Sequence, residues 1–329
     1  MEDFKKLFES FSSLKVGVIG DVMLDTYMWG KVDRISPEAP VPVVSVYKKE
    51  YRIGGAGNVA LNCKSLGAQV SILSVTGSDS EAAILEELFN SNDIDFSYVV
   101  KNNDRVTTSK TRIISRNQQM MRLDAEVTDD LTNNEEAGLL KKIKNYISVV
   151  NPDIIIFEDY NKGILTEKII QETIALCKQA GIITAVDPKR KNFFSYKEAD
   201  IFKPNLKEVK EGLNLLVDEI NQQSLQKIHT ELQTILQHQI SFITLSEKGV
   251  FYQDSANAKL IPSHIRNVAD VSGAGDTVIA VASLVYASTK NARLMAEIAN
   301  IAGGLVCEEV GTVAISKEKL LHECELLLS

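Results

Sequence analysis

Apolar and polar positions along the chain fall into blocks that switch between a strand-like and a helix-like period. Residues 14–20 (LKVGVIG) form a short apolar, β-branched run, as a strand buried on both faces requires. Residues 59–66 take helical spacing and stop at Gly67, which suits a helix C-terminus. The pattern then predicts a strand over 70–75, a helix over 80–91 and a strand over 153–157. A helix over 166–180 closed by Gly181 and a strand over 182–186 follow. Residues 241–245 (SFITL) read as another buried strand, with a hairpin over 249–253, and from Ala274 onward the pattern turns helical. Such a βαβα rhythm predicts an α/β fold, a mainly parallel sheet with helices on both faces.

Two stretches break the rhythm. Residues 26–52 and 96–126 carry β-branched and aromatic residues in short alternations, with Pro37, Pro40 and Pro42 in the first. Neither reads as a crossover helix, and loops beyond about 12–15 residues are uncommon in compact domains. The expectation is an antiparallel flap, a small β lid built from two insertions. With no repeat, low-complexity tract or flexible linker, residues 1–329 read as one domain plus that lid.

Composition narrows the function classes. A hydrophobic share of 44% and a charged share of 24% are those of a globular protein. A net charge of −8 argues against binding nucleic acid by neutralising phosphates, so a site for a phosphorylated ligand must be local. Cys63, Cys177, Cys307 and Cys324 are far apart and read as reduced core thiols. His229, His238, His264 and His322 are scattered and give no zinc pattern. The N-terminus lacks the apolar core of a signal peptide, and no apolar run approaches the roughly 20 residues that span a bilayer. A cytoplasmic protein with no membrane partner is expected.

Three segments carry candidate chemistry. In Asp270-Val271-Ser272-Gly273-Ala274-Gly275-Asp276-Thr277, three small residues precede a helical run over 277–288, so their N–H groups can crowd an anion at a helix N-terminus. A carboxylate at Asp276 would be unfavourable beside that anion unless it had a task, such as accepting the proton of an attacking hydroxyl. A glycine turn with an acidic first helical turn fits the spacing equally well. Gly54-Gly55-Ala56-Gly57-Asn58-Val59-Ala60 fits a dinucleotide fingerprint, GxGxxA, but polar residues 48–52 precede it where a buried strand should stand. A glycine loop that admits a sugar ring, with Asn58 bonding its hydroxyls, fits as well. Pro204-Asn205-Leu206-Lys207-Glu208 reads by itself as a helix capping box; Asn205 and Glu208 could also hold waters around Mg²⁺. No GxxxxGK[ST] occurs, which excludes an ordinary P-loop kinase.

In this order and at these separations, the three segments resemble the ribokinase-like (PfkB) sugar kinases, from about residue 14 to the C-terminus. The resemblance implies a doubly wound sheet with a β lid, ATP as donor and Mg²⁺ as cofactor. It implies Asp276 as catalytic base, Gly273, Ala274 and Gly275 as anion hole, and Asn205 and Glu208 at the nucleotide and Mg²⁺. Residues 244–247 and 299–304 are expected to line the adenine site, and Ser246, Gly249 and Asn300 are candidates for binding ATP. Asp25, Gly54, Gly55 and Asn58 are implied at the sugar, and family analogy allows a monovalent cation, K⁺, near Asp270 and Ser272. Related kinases pair their flaps across a two-fold axis, so a homodimer joined through the lid is expected.

Residues 34–43 (RISPEAPVPV), 115–119 (SRNQQ), 159–163 (DYNKG) and Asp187-Pro188-Lys189 resemble, more closely, the heptose 7-phosphate kinases of bacterial ADP-heptose and lipopolysaccharide inner-core synthesis. Such enzymes phosphorylate the anomeric O1 of D-glycero-β-D-manno-heptose 7-phosphate. Glu158 and Arg190 depart from that pattern, which puts a small residue and a glycine there. Arg112, Arg116, Lys162 and Lys189 are the candidates for the 7-phosphate, though each could equally be a solvated charge. Many such relatives continue into a nucleotidyltransferase domain with an H-x-G-H motif; the four histidines form none, so a kinase without an adenylyltransferase domain is expected. The rivals are another sugar kinase of the same family, a nicotinamide-dependent oxidoreductase and a catalytically dead sugar-binding module.

Overall fold

A computed structural model describes residues 3–116, 118–215, 219–264 and 266–328. In its main sheet β1 (Lys15–Gly20) pairs in parallel with the edge strand β4 (Gln69–Leu73) on one side and with β9 (Ile154–Glu158) on the other. Beyond β9 the parallel pairing continues through β10 (Ile183–Asp187), β11 (Ile201–Phe202) and β12 (Ile240–Thr244). Antiparallel β13 (Val250–Gln253) and β14 (Ala258–Ile261) finish that edge. The eight-stranded order is β14-β13-β12-β11-β10-β9-β1-β4.

Side chains alternate across this sheet and feed two separate cores. Val16 and Val18 of β1, with Ile154 and Ile156 of β9, face a core shared with α1 (Phe4–Ser10), α2 (Ala56–Ser65), α3 (Ser80–Ser91), α8 (Ala274–Thr289), α9 (Ala292–Val306) and α10 (Lys317–Leu327). Ile19, Ile155 and Phe157 face the other core, under α4 (Asn133–Val150), α5 (Glu167–Ala180), α6 (Leu206–Gly212) and α7 (Gln222–Leu236). The sheet is therefore doubly wound, as expected. Local chemistry sets the helix ends. Asp79 and Thr166 accept from the amides that open α3 and α5, and Gly181 closes α5 in the left-handed region. The helix read over 59–66 begins three residues earlier, and α4 and α7 were not anticipated. His229 and His238, distant in expectation, both hydrogen-bond the Ser241 hydroxyl in the core, at 2.8 and 2.6 Å.

The lid is a four-stranded sheet, β3-β2-β7-β8, made of β2 (Val22–Ile35), β3 (Pro42–Gly55), β7 (Ser109–Ser115) and β8 (Gln118–Ala125). Two corrections apply. The flap is mixed rather than antiparallel, because β2 and β7 run parallel. Both leave the core side by side, joined where the Leu24 N–H donates to Thr108 O, and each then returns as its own hairpin. The second insertion also starts later than residue 96. Phe96 packs in the core, and β6 (Val100–Asn102) pairs with β5 (Val75–Gly77) in a separate two-stranded sheet.

Candidate active site

The C-terminal ends of β9 and β10 meet α8, and Asn58, Tyr160, Asp187 and Lys203 gather around Asp276 and Gly275 at its N-terminus. The helix starts at Ala274, where the sequence pattern turns helical, three residues ahead of the run read over 277–288. Gly273 caps it with φ 78°, a left-handed conformation open to glycine, and a Cβ there would lie 2.8 Å from Asn58 Nδ2. The first helical bond runs from Thr277 N to Gly273 O, so the Gly275 and Asp276 amides lie in the unsatisfied first turn. The Ala274 N–H donates to Val271 O at 3.3 Å, which leaves it the weaker anion donor of the three expected. Over Gly275 the nearest groups to a built Cβ are Asp187 Oδ2 at 3.7 Å and Lys203 Nζ at 4.0 Å. An anion seated there would have the helix N-terminus below it and a lysine beside it.

Asp276 is 5% exposed. Asn58 Nδ2 donates to its Oδ2 at 2.7 Å, and the Tyr160 hydroxyl donates to its Oδ1 at 2.8 Å. Burial pushes Asp276 up to about 6; the two hydrogen bonds and Lys203 pull it down, and the Asp187 carboxylate pushes it up. It is thus an ionised, buried carboxylate near neutral pH, held in one orientation from two sides.

Its supports come from distant segments. Asn58 lies on α2, entered through Gly55 at φ 60°, where a Cβ would meet Asp21 O at 2.3 Å. The polar residues 48–52 before that loop form part of β3, a strand of the lid and not the buried strand that a dinucleotide fingerprint requires. They are polar because β3 belongs to the half-exposed lid; the core strand β1 runs into β2 instead. The dinucleotide reading still lacks its core strand before the glycines. Asn62 locks α2 to α8, accepting from Thr277 Oγ1 at 3.1 Å and donating to Asn58 O at 2.8 Å. Tyr160 is positioned by Asp21, whose carboxylate accepts the amides of Tyr160, Lys162 and Ile164 at 2.7, 3.1 and 3.2 Å.

Asp25, on β2, is 3% exposed, and its Oδ1 accepts from Arg112 Nη1 at 2.6 Å across the lid. Gly54, opposite Met23 on β3, leaves no room for a side chain beside Asp25, since a Cβ would lie 2.6 Å from its Oδ2. The four basic candidates are spread out. Arg112 serves Asp25, Arg116 is exposed at the turn after β7, and Lys162 pairs with Glu126 at 2.7 Å. Lys189 bridges Asp187 at 3.1 Å and Glu208 at 2.9 Å, which puts it with the nucleotide candidates rather than the lid. Asn117 of the SRNQQ stretch lies outside the described residues.

Asn205 and Glu208 form the capping box of α6: Glu208 N donates to Asn205 Oδ1 at 2.9 Å, and Asn205 N donates to Glu208 Oε2 at 2.8 Å. The other Glu208 oxygen reaches Lys189, so the cap fixes a carboxylate at the site rather than competing with a site role. Ser246 and Gly249 make the turn after β12, at φ 55° and 94°, and Asn300 Nδ2 donates to Pro262 O at 2.8 Å. Asp270 accepts from Ser272 N and Oγ at 3.0 and 2.8 Å and from Gly311 N at 2.9 Å, a closed loop beside the α8 N-terminus.

Sequence reasoning passed over Tyr160, Asp187 and Lys203 as site residues. Two had a signal, since Tyr160 and Asp187 sit inside stretches already singled out. Lys203 immediately precedes Pro204-Asn205, is 2% exposed and pairs with Asp187 Oδ2 at 2.7 Å. Of the two departures, Arg190 is exposed in a short 3-10 turn, whereas Glu158 is fully buried at the end of β9.

Comparison with known proteins agrees with this geometry. The pfkB family carbohydrate kinase model matches residues 13–319. "Bifunctional protein HldE" of Geobacter sulfurreducens is 36% identical over 97% of this chain, and that of Helicobacter acinonychis is 39% identical over 93%. The chain spans 65% of the length of each of these relatives. Escherichia coli phosphofructokinase-2 in complex with potassium superposes with a TM-score of 0.78 at 16% identity, covering 96% of this chain and all of that one. Arabidopsis thaliana ribokinase, complexed with ribose and ATP, gives 0.71 at 15% identity, covering 94% and 98%.

Proposed function

The chain belongs to the pfkB family of carbohydrate kinases, and from that premise we propose that it transfers the γ-phosphoryl group of ATP to the anomeric O1 of D-glycero-β-D-manno-heptose 7-phosphate. The observation that carries the reading is the buried, doubly hydrogen-bonded Asp276 in the first turn of α8, beside amides that can face an anion. The choice of sugar is supported by the RISPEAPVPV and SRNQQ stretches and by the HldE relatives. Its place in ADP-heptose and lipopolysaccharide inner-core synthesis, and a cytoplasmic location, belong to the same proposal. Among the described residues no helix is long and apolar enough to cross a membrane.

In this mechanism Asp276 takes the proton of the attacking hydroxyl. Each carboxylate oxygen has a second lone pair to offer, so Asn58 and Tyr160 hold the base in place while it works. The N–H groups at the start of α8 and the Lys203 ammonium stabilise negative charge on the transferring group. A Mg²⁺ ion carried by the triphosphate would keep several of its waters. Asn205 and Glu208 would orient those waters, and the ion supplies charge neutralisation on the phosphates. K⁺ beside Asp270 and Ser272 is part of the proposal.

A coupled assay of ADP release with MgATP tests the reading. Turnover is expected with heptose 7-phosphate and not with ribose or fructose 6-phosphate. Equal turnover of the latter two would make the protein another sugar kinase of the family, and binding of NAD without MgATP would make it an oxidoreductase.

The lid carries exposed Ile35, Val46, Tyr47, Met121 and Leu123 on a sheet with two open edges, a surface that calls for cover. A homodimer joined through the lid is therefore expected, and light scattering at micromolar concentration should give twice the chain mass. Leu123→Glu should return it to the monomer. A monomeric parent protein contradicts the pairing.

A further inference from the structure

Glu158 is a fully buried acid that this mechanism does not use, and it stands where the family pattern has a small residue. It ends β9, in register with Gly20 of β1 on one side and Asp187 of β10 on the other. Parallel partners in register point their side chains to the same face, so the Glu158 and Asp187 carboxyls are neighbours on the sheet. Gly20 contributes no side chain between β1 and Glu158. The Glu158 carboxyl is 0% exposed, and among the described residues neither of its oxygens has a hydrogen-bond partner.

The nearby cations are already allotted. Lys203 pairs with Asp187 Oδ2, and Lys189 is shared between Asp187 Oδ1 and Glu208. Asp276 takes its two hydrogen bonds from neutral donors, Asn58 and Tyr160. The groups facing Glu158 are thus Asp187 and Lys189 at the end of β10, Lys203 after β11, and Asp276 on α8, with the Tyr160 and Tyr196 phenols close by. Two lysines serve three acids before Glu158 is counted. An ionised carboxylate with no partner is not sustained in such an interior.

We propose that Glu158 sits in the phosphoryl-transfer site as an uncharged acid and, by losing its proton at alkaline pH, weakens nucleotide binding. Burial first, and then the Asp187 and Asp276 carboxylates, push its ionisation well above the ordinary carboxylate range, in keeping with the geometry. While protonated it adds bulk and no charge beside Asp276. Once ionised it puts another negative charge next to the anion seat at the start of α8, and the triphosphate is repelled. The inference rests on the kinase reading above.

The test pairs Glu158→Gln, which keeps the volume and cannot ionise, with the full-length parent. Infrared spectra at neutral pH should show a protonated carboxyl band in the parent that is missing from the variant. MgATP affinity, measured by calorimetry, should fall by about tenfold more in the parent than in the variant as pH is raised from neutral to alkaline, the effect expected of one added charge at close range. If E158Q does not fold, Glu158→Leu replaces it, because a neutral and unpartnered acid tolerates an apolar substitute. A difference spectrum without the acid band, or identical pH dependence of binding, overturns the proposal. The infrared measurement needs no nucleotide. A parent that binds no MgATP at either pH therefore sinks the kinase reading, while a missing acid band sinks this inference even where MgATP binds.

Discussion

Replacing Asp276 with Asn should lower kcat by on the order of 10²–10⁴, the usual contribution of a positioned general base, while MgATP still binds. Binding should tighten slightly, because a negative charge beside the triphosphate is gone. The same substitution has an opposite effect on stability. Asp276 titrates at about 6 in the folded protein against an ordinary value of 3.8, chiefly because it is buried. A raised value means that the folded chain binds the proton more tightly than the unfolded one. The resulting stability is fully present below about pH 3.8 and lost as pH rises through 6, so at neutral pH the ionised carboxylate costs roughly 3 kcal/mol. The Asn side chain escapes that cost but offers an amide N–H₂ to one of its two donors, Asn58 or Tyr160, which offsets part of the gain. Asp276→Asn should therefore melt no lower than the parent above pH 7. In the parent, kcat/KM should fall below about pH 6 as the base takes up a proton. A variant that melts lower and keeps more than about a tenth of the parental kcat, outside the general-base range, would make Asp276 a helix-cap residue.

The second large effect is discrimination by the remote phosphate. A 7-phosphate held by two cationic side chains should contribute roughly 3–6 kcal/mol, so kcat/KM should favour heptose 7-phosphate over heptose by on the order of 10²–10⁴. The geometry separates the candidates. Arg112 is bonded to Asp25, so Arg112→Met strips a buried carboxylate of its partner and should impair the phosphorylated and the unphosphorylated sugar alike. Among the described residues Asp25 is ion-paired with Arg112 and not with Arg116 or Lys162, and the Met variants of those two should impair the phosphorylated sugar alone. Steady-state kinetics on both sugars decide it. Equal losses on both sugars in the Arg116 and Lys162 variants would remove those residues from the phosphate site.

How far the sequence carries depends on where each signal resides. The parallel core strands were legible because burial on both faces leaves apolar runs such as KVGVIG and IIIFE. The β3 stretch over 48–52 could be set apart from those core strands because a lid strand lies half in solvent and carries polar residues. Parallel pairing of β2 and β7 was beyond local pattern, since it is set by two strands leaving the core next to each other, with Leu24 opposite Ser109. At the site, Asp276, Asn58 and the Asn205–Glu208 box were singled out because each sits in a short local motif that resembles a family pattern, although only the box serves its own helix terminus. Tyr160 and Lys203 act through contacts with residues remote in sequence. The hydrogen bond from Tyr160 to Asp276 joins positions 116 residues apart, and no local pattern encodes it.

The central claim is that the phosphoryl group goes to the anomeric oxygen of a heptose 7-phosphate. Phosphorus and proton NMR of the product formed with MgATP tests it most directly. The account predicts one equivalent of ADP and a product that keeps its 7-phosphate and gains a second phosphorus coupled to the anomeric proton. A product phosphorylated at another hydroxyl, or no product from heptose 7-phosphate under conditions where ribose or fructose 6-phosphate reacts, contradicts it.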